Sequence, residues 1–147
     1  MFASLLLVPV LLTAQAPQNP LATASAVRCT FPSMATGSWS GGKPEAQLKT
    51  PTETKPLEFT NIKADEGTAD LKGNYGKYDI IVRFAGGYLH LIQSFLDGPL
   101  YTTTIMDKKT ADGKYMAVHS RHERTDVTLP GYTSSPEQYY GTCEVMK

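Results

Sequence analysis

The sequence predicts an all-β fold: an antiparallel up-and-down meander of about seven or eight strands, closed or nearly closed into a small barrel, with a β-sandwich as the alternative. Three observations predict it. Short runs rich in β-branched and aromatic residues recur at intervals of about ten residues from Leu57 onward, with Gly, Asp, Asn and Pro in the gaps. No helix of ten or more residues is predicted after residue 26. The two cysteines, Cys29 and Cys143, stand near the two ends of that region, as a closed meander requires if they are to meet. Closure also removes the exposed strand edges that would otherwise template aggregation.

Taken in order, the chain opens with an apolar core from Leu5 to Leu12 and carries no charged side chain before Arg28. A bilayer-spanning helix takes roughly 20 apolar residues, so this segment reads as a secretory signal. Two small-residue cleavage patterns follow it. "AQA" ends at Ala16 and is disfavoured by Pro17; "ASA" ends at Ala26 and is preferred. The expected organisation is a signal peptide over residues 1–26 and a single β-barrel domain over residues 27–147, with a periplasmic or secreted location. In such a compartment two cysteines default to a disulfide. Cys29–Cys143 would close a loop of roughly 115 residues, which the chain-entropy relation values at about 4–5 kcal/mol. A lipid anchor on Cys29 is rejected, because Val27 and Arg28 stand where small residues are needed.

Residues 27–44 are rich in Gly, Ser, Thr and Pro around Trp39, and residues 50–56 read as a loop with two prolines. The predicted strands are "LEFTNI" (57–62), "TADLKGN" (68–74), "YDIIVRF" (78–84), "YLHLIQSF" (88–95), "LYTTTIM" (100–106), "KYMAVHSRHE" (114–123) and "QYYGTCEVM" (138–146). Period-two alternation then sorts the faces. Tyr78, Ile80, Val82 and Phe84 are expected inside, as are Leu89, Leu91, Gln93 and Phe95. In the next-to-last run Met116, Val118, Ser120 and His122 are expected inside, with His119 and Arg121 in solvent.

The stretch "AVHSRHE" (117–123) holds two of the three histidines. On a strand, residues three apart point to opposite faces about 10 Å apart along the chain. A zinc ligand must sit about 2 Å from its ion, so no metal is expected on this pair. The chain has no Gly-x-Ser-x-Gly elbow, and "DKKTADG" puts Lys108 and His119 at the first and twelfth positions of a calcium loop, where carboxylates belong. No catalytic residues, cofactor or enzymatic activity are expected. Fourteen Lys and Arg balance fourteen Asp and Glu. That balance leaves no electrostatic footprint for nucleic acid or an anionic membrane, and no membrane anchor is expected.

Two resemblances accompany this reading. "TGSW" (36–39) resembles the Gly-x-Trp start of the first strand in lipocalin- and avidin-type calycin barrels. Avidins surround their ligand with tryptophan, and Trp39 stands alone here, so biotin binding is not carried over. "YTTTI", "AVHSRH" and "QYYGTCEV" in the C-terminal half resemble a group of small exported proteobacterial proteins. That resemblance implies a compartment and no activity.

Two functions follow as expectations. The first is a non-enzymatic barrel whose interior binds a small, partly apolar ligand, with Gln93, Thr102, Thr104, Ser120 and His122 as the polar wall. The second is a filled barrel acting on a protein partner, as an envelope component or an inhibitor of a secreted enzyme. There Tyr132, Tyr139, Tyr140 and the loop "LPGYTSSPEQ" are the anchors.

Overall fold

A computed structural model describes residues 19–52, 55–73, 76–96, 98–124 and 135–146. These form nine strands: β1 (Val27–Ser40), β2 (Lys43–Lys49), β3 (Leu57–Lys63), β4 (Thr68–Gly73), β5 (Gly76–Ala85), β6 (Tyr88–Ser94), β7 (Leu100–Lys109), β8 (Tyr115–His122) and β9 (Glu137–Val145). All pairings are antiparallel, and β1 pairs with β9 to close the sheet. The barrel therefore contains β1 and β3 through β9, eight strands, and β2 is appended to it.

The appendage follows from the length of β1. Its first residues, Val27–Cys29, pair with Phe59–Leu57 of β3 on one side and with β9 on the other. Farther on, Met34–Ser40 exchange β3 for β2, so a two-stranded ribbon runs on past the closed wall. The sequence reading placed a tryptophan-centred, glycine-rich stretch here and did not foresee β2. Gly41 and Gly42, at φ 57° and 79°, turn the ribbon, and Gly86 and Gly87, at φ 58° and 82°, turn β5 into β6. Two successive positive φ values give a two-residue turn whose twist matches that of the flanking strands.

The interior is filled by alternating side chains. Val27, Cys29, Phe31, Phe59, Ile62, Ala69, Leu71, Ile80, Val82, Leu89, Leu91, Ile105, Tyr115, Ala117 and Cys143 form one buried cluster. Each fully buried Val, Leu, Ile or Phe stabilises such a core by about 1.5–3 kcal/mol. Leu21 and Ala24, which precede β1, belong to the same cluster. Cys29 and Cys143 face each other across the β1–β9 closure and are joined by a disulfide, with Cα atoms 4.0 Å apart. The bond spans a sequence separation of 114 residues.

The expected faces hold in β5 and β6, where Ile80, Val82, Leu89, Leu91 and Gln93 are buried. They are reversed in β8. Tyr115, Ala117 and His119 are buried, whereas Met116, Val118 and Ser120 are half-exposed and His122 is exposed. The register explains it: Tyr115 lies opposite Cys143 and Ala117 opposite Gly141, so the residues of β8 that share the face of the inward disulfide are Tyr115, Ala117 and His119. A Cβ on Gly141 would lie 1.9 Å from the carbonyl oxygen of Thr30, where the β1–β9 register shifts between Thr30 and Ser33. Ranking Met116 and Val118 as the more apolar set therefore picks the wrong side, and a one-residue error reverses the whole strand.

Candidate functional site

Two places concentrate functional side chains: one end of the barrel interior, and the outer face of the ribbon. At the barrel end, two neighbouring rungs of inward residues cross β7, β8 and β9. One is Thr103–His119–Tyr139 and the other is Tyr101–Arg121–Glu137, continued on β1 by Met34 and Thr36. His119 is packed among the rings of Phe31, Tyr101 and Tyr139, with centroids 5.7, 6.2 and 5.7 Å away. Its Nδ1 lies 2.8 Å from Thr103 Oγ1, and its Nε2 accepts a hydrogen bond from Arg121 Nε at 3.4 Å. That bonding assigns the ring proton to Nδ1, which donates to the threonine. Burial, and secondarily the Arg121 charge, hold the imidazole pKa down at about 3. Both ring nitrogens are engaged, and His119 is a neutral strut.

Arg121 completes this end. Its guanidinium carbon sits 5.3 Å from the Tyr101 ring and 5.2 Å from the Tyr139 ring, a cation held between two aromatic faces. Its Nη1 is 3.9 Å from Glu137 Oε2. The Tyr101 hydroxyl donates to Glu123 and the Tyr139 hydroxyl to Glu137. Burial, reinforced by the carboxylate each hydroxyl meets, pushes the Tyr101 phenol well above its ordinary pKa and the Tyr139 phenol to about 12. Every group here is thus committed to another group of the same chain.

The structure distributes the five expected wall residues differently. Gln93 is buried on the inner face, next to Tyr101 of β7. Thr102, Thr104, Ser120 and His122 lie on the outer face: Thr102 pairs with Ser120, Thr104 with Val118, and Leu100 with His122. Thr104 there meets His90 Nδ1 at 3.0 Å, and Ser120 accepts from Gln138. The inner threonine is Thr103, 1% exposed. Three consecutive threonines carry no alternation, so the sequence had no signal for choosing between them. His119, Arg121 and Tyr101 face the interior because the inner faces of β7 and β8 lie one residue out of phase with those expected from alternation. The clue lay in β9: an inward Cys143 puts Gly141 and Tyr139 inside too.

The second place is the ribbon. Because β1 and β2 pair Ala35 with Leu48 and Trp39 with Pro44, the residues Ala35, Trp39, Pro44, Ala46 and Leu48 share one face. It is the outer face, opposite to buried Met34, and Tyr140 of β9 lies on it beside Ser33. Leu48 is 87% exposed, Trp39 50% and Tyr140 43%. Arg124 stacks on Trp39, its guanidinium carbon 5.4 Å from the ring. Of the anchors expected from sequence, Tyr140 is on this face, Tyr139 is turned inward against Arg121, and Tyr132 and most of its loop fall outside the described residues. A shallow groove elsewhere on the outer wall, between β3, β4 and β5, is lined by Asn61, Lys63, Asp70, Asp79 and Ile81. Its Asp70 already accepts from Asn61 and Lys77, which lower its pKa.

Fold and surface together define a closed eight-stranded antiparallel barrel carrying an appended two-stranded ribbon. No protein-family model, curated protein or solved structure matches the chain.

Proposed function

We propose that this chain is an exported, non-enzymatic binding module that recognises a partner protein through the outer face of its β1–β2 ribbon. One contrast carries the reading. The interior is packed, and no buried side-chain polar atom among the described residues lacks a partner. A small ligand is fixed by a few polar groups that converge on it, and here Thr103, His119 and Arg121 are engaged with one another. The ribbon face instead presents Trp39, Leu48 and Tyr140 to solvent. Aromatic and large apolar side chains standing together at a surface are what an interface core is made of. Charged and proline positions on β2 (Lys43, Pro44, Glu45, Lys49) guard its free edge, which leaves the face as the contact and not the edge.

The second reading places a small, partly apolar ligand at the barrel end, and the observation that favours it is the half-exposed Arg121 held between two tyrosines. Native mass spectrometry of the protein from its own compartment separates the two. A protein partner is expected to co-purify, and the double substitution of Trp39→Ser with Leu48→Asp should release it. A small molecule that stays bound to that double variant, or a chain that emerges alone from both preparations, would overturn the ribbon reading.

A further inference from the structure

Residues 19–26 pack as part of the barrel. Leu21 has no exposed surface and Ala24 is buried, both in contact with the main core. Asn19 fixes the segment at its start: its Oδ1 accepts from Leu21 N–H at 2.9 Å, its Nδ2 donates to Asp107 at 2.7 Å, and its carbonyl accepts from Ala22 N–H. At its other end the segment extends the ladders on both sides of β1. Ile62 N–H donates to the Ser25 carbonyl at 2.9 Å, and Met146 N–H donates to the Ala26 carbonyl at 3.0 Å. Asp107, Ile62 and Met146 all stand at the barrel end opposite Arg121, since β7, β3 and β9 run out there. The eight residues close that end, with Leu21 as the stopper.

Removal of this segment would do three unfavourable things. It would empty the Leu21 site. It would take the acceptors from Ile62 N–H and Met146 N–H, and Ile62 is buried. It would also turn the Val27 nitrogen into a charged amine, on a residue with no exposed surface that lies between Phe59 and Val145.

We propose that leader processing cuts on the N-terminal side of Asn19, so that Asn19–Ala26 stays on the mature protein as the plug of the barrel, and that the small-residue pattern ending at Ala26 is not the processing site. The step is a hydrolysis by a leader peptidase: one peptide bond breaks, and water supplies the hydroxyl of the new carboxyl group and the hydrogen of the new amine. The inference is independent of what the ribbon binds.

The test is the intact mass and N-terminal peptide of the chain expressed from Met1 in a host with a leader peptidase and recovered with its disulfide formed. An N-terminus between Thr13 and Asn19, after the apolar run has been removed, is the expected result. An N-terminus at Pro20 or any later residue, or an uncut chain that still begins at Met1, overturns the proposal. Ala26→Gln supplies a second measurement, because a leader peptidase needs a small residue just before its cut. The variant should be processed like the parent, and accumulation of uncut Ala26→Gln precursor alone would overturn the proposal. Leu21→Asp, which puts a charge into the stopper site, should lower the thermal midpoint of the recovered protein by several degrees, with Leu21→Met close to the parent. Equal midpoints for the Asp variant and the parent would show that Leu21 is not seated in the core.

Discussion

Acidification should weaken this fold through His119. In the folded chain the ring is buried, its Nε2 lone pair faces the Arg121 Nε–H, and its pKa is held at about 3. In the unfolded chain it titrates at its ordinary value of 6.5. Between these two values the unfolded state binds a proton that the folded state does not. Stability therefore rises with pH across the window: the contribution is fully present above about 6.5 and drains away as pH falls toward about 3. One such group changes stability by at most about 1.4 kcal/mol per pH unit. Moving from pH 6.5 to 4.5 should then cost about 2–3 kcal/mol, a sizeable share of the roughly 5–15 kcal/mol that a small domain has. Urea melts of the oxidised protein at four pH values across this window measure it. His119→Gln is the control: its amide can donate to Thr103 and accept from Arg121 without titrating, so its stability should fall much less. Carboxylates that protonate near the lower end do so in both proteins and cancel in the difference. Parallel pH profiles for the parent and His119→Gln would refute the burial and bonding described for His119.

The remaining predictions concern packing, closure and surface. Gly141→Ala should cost about 3 kcal/mol or more by urea melt, since its Cβ would meet backbone atoms of Thr30 and Phe31 at 1.9 and 2.8 Å that cannot move without opening the bulge. Gly37→Ala, whose nearest neighbour is at 3.9 Å, should stay within about 1 kcal/mol; similar losses at both sites would put the bulge in the wrong place. Replacing both cysteines with serine should remove about 4–5 kcal/mol of stability from a loop of this length, read as the difference in urea midpoint between the oxidised parent and the variant. Leu48→Asp should change stability by no more than about 0.5 kcal/mol, because 87% of the side chain is exposed, so any binding defect it shows is a surface effect.

Seven of the nine strands were legible because their turns are written in Gly, Asp and Pro at short intervals, and because β5 and β6 alternate cleanly around Ile80, Val82, Leu89 and Leu91. The Cys29–Cys143 pairing was legible too, since a closed meander brings its ends together. Faces were harder to read wherever both sides of a strand carry similar side chains. In β7 the residues Thr102, Thr103 and Thr104 are interchangeable by composition. In β8 the inner set Tyr115, Ala117 and His119 is more polar in type than the outer pair Met116 and Val118, and only the pairing with Cys143 and Gly141 decides between them. The ribbon escaped notice for a different reason. All of β2 is exposed, and although "KPEAQLK" alternates polar with apolar residues, it carries no β-branched or aromatic side chain and includes a proline, so composition does not mark it as a strand; it is held by backbone pairing to β1 and by the Gly41–Gly42 turn.

The closing seam between β1 and β9 sets a schedule. It joins residues 27–36 to residues 137–145, so all of β2 through β8 leaves the ribosome between the two sides of the seam. Until β9 appears, the inner halves of Cys29, Phe31 and Met34 have no wall to face and one long edge of β1 hangs open. Neighbouring hairpins such as β5–β6 are able to form during emergence, but the ring cannot. Every molecule must wait as an unclosed sheet until β9 has emerged, and the thiols of Cys29 and Cys143 first meet when that wait is over.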